Sequence, residues 1–176
     1  MKSVWNGKNR TMFPHCLAVI LLAFFSGCND APKRPGEGFY SYQGFRDWWR
    51  IPLRFPYQVG IIDSFDRGLL EKYDPNSRID DPKCDTIADN ITGIGYHDDF
   101  TVFRRDNKEK PYGILIYASG ETSLFSTETE LEMFVKQKFP DTAVPKMTRL
   151  DMFYEGRWKT INEIRKTAPE KLKYGY

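Results

Sequence analysis

Four short apolar runs crowd into residues 91–125, and they constrain the fold of this 176-residue chain more than any other feature. Ile91–Tyr96, Phe100–Arg105, Tyr112–Ala118 and Thr122–Phe125 are rich in β-branched and aromatic residues, which suit a pleated, half-buried surface. Turn-type sequences separate them: His97-Asp98-Asp99, residues 106–111 and Ser119-Gly120-Glu121. Strands this close in sequence pair with their neighbours, so the pattern predicts an antiparallel β-meander. In the third run Tyr112, Ile114 and Ile116 alternate with Gly113, Leu115 and Tyr117. Both faces are apolar, which predicts a central strand covered on one side by another element.

That element follows directly. Thr127-Glu128-Thr129-Glu130 fits a capping box, with Thr127 as N-cap and Glu130 at the third helical position. Leu131, Phe134, Val135 and Phe139 then form one helical stripe. Glutamates cluster at the start, Lys136 and Lys138 lie at the end, and Pro140 stops the helix. A second, short helix is expected from about Trp158 to Lys166, and residues 167–176 are expected to fray. Upstream, Tyr57–Ile62 reads as a strand, and Leu69–Tyr73 as its return across the Asp66-Arg67-Gly68 turn. Residues 74–90 are expected to form a long acidic loop. That loop does not fit an EF-hand, because Arg78 occupies the fifth position and no glycine follows at the sixth. The expected fold class is therefore α+β: a small antiparallel meander with one amphipathic helix on a face and a short C-terminal helix. It forms a single domain over residues 39–170, and 171–176 is a frayed end.

Residues 39–57 hold eight aromatics and three arginines in nineteen positions. Arg46, Arg50 and Arg54 recur every four residues, but Pro52 and Pro56 forbid one continuous helix. A helical turn around Gln43–Arg50 followed by an extended segment is the expected arrangement. Large aromatics are mostly buried, so the first expectation is that these rings join the core. Two functional readings stand beside it. The Trp48-Trp49 pair beside arginine suits a membrane interface, and the same rings suit stacking on sugar or peptide. Arg46, Trp48, Trp49 and Arg50 are accordingly the candidate binding patch.

Little else carries chemistry. The apolar content of 40% suffices for a core, and 26 basic against 24 acidic residues gives no basic excess for nucleic acid. His97 stands beside Asp98 and Asp99, an arrangement that suits a general base. No serine sits in a Gly-x-Ser-x-Gly elbow, no glycine-rich phosphate loop is present, and no zinc ligand set is apparent. No catalytic, metal or cofactor residues are assigned.

The first 27 residues have the parts of an export signal. Lys2, Lys8 and Arg10 are unaccompanied by any acid, Cys16–Phe25 is an unbroken apolar run of ten, and the small residues Ser26 and Gly27 precede Cys28. Ten residues span about 15 Å as a helix, half of a bilayer core. Phe25-Ser26-Gly27-Cys28 resembles the lipobox of bacterial lipoproteins, with Phe25 where an aliphatic residue is usual. The resemblance implies a diacylglyceryl group on the Cys28 thiol, cleavage before it, and acylation of the new amino terminus. Asn29 rather than Asp follows, which by resemblance to the sorting rule of enteric bacteria favours the outer membrane, facing the periplasm, over the inner. Residues 28–38 then form the lipidated cysteine and a flexible tether. The mature chain would have 176 − 27 = 149 residues, a charge of 23 − 24 = −1, and Cys84 as its one free thiol.

Ile91 to Val102 (Ile-x-x-Ile-x-x-x-Asp-x-x-x-Val), Tyr112 to Ile114, and Phe125 to Glu130 (Phe-Ser-Thr-Glu-x-Glu) are similar to small bacterial lipoproteins of unknown function. That resemblance implies a compact sheet and a Thr/Glu-capped helix, and no functional residue. The expectation is a membrane-tethered, non-enzymatic binding module for an envelope protein or glycan. Two alternatives are an immunity-type inhibitor of an imported toxin, using the acidic 74–90 stretch, and a small envelope hydrolase using His97.

Overall fold

The computed structural model describes residues 38–41, 43–45, 48–77 and 83–173. All of these fall in the compact unit Arg34–Tyr176. The export segment, Cys28, most of the tether, Arg46, Asp80 and Asp81 lie outside the described residues.

Among the described residues nine antiparallel strands form one sheet. The first eight follow one another in space as in sequence: β1 (Gly44–Phe45), β2 (Trp48–Pro52), β3 (Tyr57–Ile62), β4 (Gly68–Tyr73), β5 (Cys84–Tyr96), β6 (Phe100–Arg105), β7 (Tyr112–Ile116) and β8 (Thr122–Phe125). A two-residue β9 (Thr148–Arg149) pairs with β5 at Ile94 and Gly93. Among the described residues two α-helices complete the α+β fold, α1 (Glu128–Lys138) and α2 (Leu150–Thr167).

The sheet curls strongly. Tyr57 on β3 stacks on Tyr117, just past β7, with ring centroids 5.7 Å apart. Flat strands four places apart would lie about 19 Å from one another. The concave face is one apolar core, containing Ile51, Val59, Ile61, Leu70, Ile94, Phe103 and Leu115, and α2 contributes Leu150 to it. On the convex face α1 covers β6 and β7. Leu131 and Val135, both fully buried, meet Val102, Ile114 and Ile116, and each contributes about 2 kcal/mol by leaving water. β7 is thus apolar on both faces because both faces are covered. The Thr127 capping box forms as its sequence predicts, with Glu130 N–H donating to Thr127 Oγ1 at 3.2 Å and the Glu130 carboxylate accepting from Thr127 N–H at 3.2 Å.

Four expectations need correction. The described part of the segment expected as a helical turn is strand instead: Gly44–Phe45 is β1 and Trp48–Arg50 is the start of β2, because β2 finds a full-length partner in β3. The second half of the acidic stretch, Cys84–Asn90, is the start of a 13-residue strand rather than loop. Its carboxylates alternate outward, and Asp89 is ion-paired with Arg105. The C-terminal helix is not short: α2 has 18 residues and begins eight residues before Trp158. The end expected to fray continues as a 3₁₀ turn, Pro169–Lys173, whose Leu172 packs beside Phe39 and Trp158.

Candidate functional site

β2 carries three of the four residues singled out for binding, Trp48, Trp49 and Arg50, and strand geometry sorts them. Successive side chains on a strand point to opposite faces. Trp49 turns to the concave side, half-buried, with its ring 5.1 Å from that of Phe65. Trp48 and Arg50 turn to the convex side. Of the candidate patch, Trp48, Trp49 and Arg50 therefore do not share one surface, and Arg50 is fully buried, while Arg46 lies outside the described residues.

Arg50 is held by a polar cluster on the convex face. Its Nε donates to Gln58 Oε1 on β3. Its Nη1 donates to the Phe39 carbonyl at 2.6 Å, and the guanidinium lies 4.1 Å above the Phe39 ring. Gln58 passes the chain of bonds on, donating to Glu71 Oε2 at 3.0 Å and to Cys84 Sγ at 3.2 Å. Gly60 makes room for this: a Cβ there would sit 2.7 Å from Glu71 Oε2. Burial dominates the electrostatics. It pulls the Arg50 pKa down to about 10 against the favourable charges of Tyr73, Cys84, Tyr40 and Glu71. It pushes the Glu71 carboxyl up, which its bond from Gln58 and the Arg50 charge partly offset. It also pushes the Cys84 thiol up to about 12, with Glu71 adding to the effect. Such a thiol is a poor nucleophile at neutral pH.

The cover over this cluster is the start of the described chain. Phe39 and Tyr40 are buried, with Phe39 edge-on to Tyr40, Phe55 and Tyr73 at 5.0–5.6 Å. Arg165 of α2 donates to the Tyr40 carbonyl at 2.8 Å, and Phe55 N–H donates to the Tyr40 hydroxyl at 3.0 Å. α2 also closes the sheet edge. β1 covers β2 only as far as Trp49. The carbonyls beyond it accept from α2 side chains: Arg50 from Trp158 Nε1 at 3.0 Å, Pro52 from Arg157 Nε at 2.9 Å, and Leu53 from Arg157 Nη2 at 2.6 Å. Carbonyls that would otherwise be buried without partners are thereby satisfied.

Three apolar residues remain accessible on this convex face, beside Arg67 and Asn90. Trp48 is half-buried and sits in register with Ile62, which is 58% exposed. Leu69 on β4 lies two strands away on the same face, half-buried, at the side of an open groove of about 200 Å³. Trp48, Ile62 and Leu69 thus form an apolar strip beside the Phe39–Arg50 cover. Of the residues named from sequence only Trp48 belongs to it. Ile62 and Leu69 are recognisable only once the register of β2, β3 and β4 is known.

His97 has a local structural task. It lies in the β5–β6 turn, where its Nδ1 accepts the Asp99 N–H at 3.2 Å and its ring stacks on Phe100 at 4.8 Å. Arg54 pins the same turn by donating to the Asp98 carbonyl at 2.7 Å. Among the described residues no group of three or more His, Cys, Asp or Glu is placed to hold a metal ion.

No protein-family model matches the chain, and neither a curated protein nor a solved structure matches it.

Proposed function

We propose that this chain is a bacterial envelope lipoprotein, tethered through acylated Cys28, that binds another envelope component without catalysing a reaction. The observation that carries this reading is the run of Lys2, Lys8 and Arg10, ten apolar residues, and then Phe25-Ser26-Gly27-Cys28. No helix of the described residues is long and apolar enough to cross a membrane. One acyl chain holds only marginally, whereas two or three hold stably. Residues 29–38 supply a tether with a reach of about 17–19 Å, ending at the buried Phe39. The convex face of β2–β4 would then be the part of the domain closest to its anchor, and the Trp48–Ile62–Leu69 strip the contact for a partner. Asn29 favours the outer membrane as the destination.

The experiment is metabolic labelling of cells with a palmitate analogue. The full chain is expected to take the label, and Cys28→Ser to lose it and to leave the membrane fraction. Unchanged labelling of Cys28→Ser would contradict the reading. A photo-crosslinking residue at position 62 is expected to give a discrete adduct in cells, with none from exposed position 108. Equal yields at both positions would remove the strip from the proposal.

A further inference from the structure

Gly156 lies in the middle of α2, where glycine is a poorer helix former than alanine. A Cβ added there meets nothing within 4 Å, so packing inside the domain does not ask for glycine. Met152, Gly156, Thr160 and Glu163 are spaced to lie as a stripe along one side of the helix, and Arg149, its N-cap, stands just before the first turn. Arg149, Gly156 and Glu163 are exposed, and Met152 is 63% exposed. Met152, Gly156 and Thr160 form the helical wall of an open groove of about 320 Å³, whose far side is Tyr96 and Thr148.

The stripe is self-complementary. In two antiparallel copies of α2 related by a two-fold axis at Gly156, a residue a given number of places before the glycine meets the one as many places after it. Arg149 and Glu163, seven places either side, then face each other twice. Met152 and Thr160, four places either side, pack thioether against methyl. Glycine meets glycine, which lets the two backbones approach closely. The helix dipoles run in opposite senses, as an antiparallel pair favours. Arg149 already bonds Asp151 at 3.2 Å, and a guanidinium has five donors, enough to take a second carboxylate. We propose that this face of α2 is the isologous interface between two copies of this chain. One helix face is a small interface, so the dimer is a weak one.

Sedimentation of the purified full chain in detergent micelles, from about 1 to 100 μM, spans the affinities expected of so small a contact. A concentration-dependent monomer–dimer equilibrium is expected. Arg149→Glu and Glu163→Arg should each weaken it by about tenfold, because each replaces two attractions by two repulsions. The two changes combined should restore it. Gly156→Ala should raise the melting midpoint of the chain while weakening the dimer, opposite signs that a fold defect would not produce. A chain that stays monomeric throughout, or a dimer that ignores the charge reversals or is not restored by combining them, overturns the proposal.

Discussion

Arg50 is the residue on which the convex face is built. It is fully buried, and Gln58 links its guanidinium to the Glu71 carboxylate. Removing one member of such an arrangement leaves the other buried without compensation. Arg50→Met is expected to cost about 3 kcal/mol at neutral pH, measured by urea unfolding. Burial raises the Glu71 pKa in the folded state. The native state therefore holds that proton more tightly than the unfolded chain, and stability falls as pH rises above the unfolded value. Without the Arg50 charge the Glu71 pKa rises further, so the loss should be larger at pH 8 than at pH 5. Adding Glu71→Gln to Arg50→Met should flatten that difference. Equal losses at both pH values in the single variant would show that Arg50 acts by packing alone.

Single elements differ in how much of themselves is local. α1 is local throughout, its cap, dipole charges and apolar stripe all lying within residues 127–139. Thr127→Ala should cost about 1 kcal/mol in thermal or urea unfolding. β7 depends on a neighbour: Phe103 on β6 lies across Gly113, and a Cβ there would fall 2.3 Å from the ring. Phe103 is fully buried and has nowhere to turn, so Gly113→Ala should cost about 2–3 kcal/mol. A cost near zero would mean that the ring shifts freely.

The same distinction explains what the sequence made legible. The meander, α1 and its cap were readable because alternation and capping act over a few residues. β2 was not, since arginines four apart mimic a helical spacing and only pairing with β3 reveals the strand. The start of β5 is polar at Asp85, Thr86 and Asp89, and it is a strand because β4 pairs with it. The start of α2 is silent for another reason: its N-cap, Arg149, makes no side-chain capping bond. The candidate site followed suit. Trp48 was visible by composition, whereas the burial of Arg50 and the exposure of Ile62 depend on which face each strand turns outward.

At the scale of the whole molecule, α2 and the segment Gly38–Ser41 close what the meander leaves open. α2 seals the edge of β2 with Arg157 and Trp158, and Phe39 and Tyr40 cover the Arg50 cluster. Under the lipoprotein reading, the chain passes from its acyl anchor through about ten residues straight into that cover. The domain would be tied to the membrane at the point where its buried charges are held. The convex strip beside it would face partners in the envelope, and α2 would be left to a second copy. The intact mass of the protein extracted from membranes tests the central claim most directly. A chain beginning at Cys28, 149 residues long and heavier by a diacylglyceryl group and an amide-linked acyl chain, is the expected result. A chain that retains residues 1–27, or begins elsewhere with an unmodified Cys28, would contradict it.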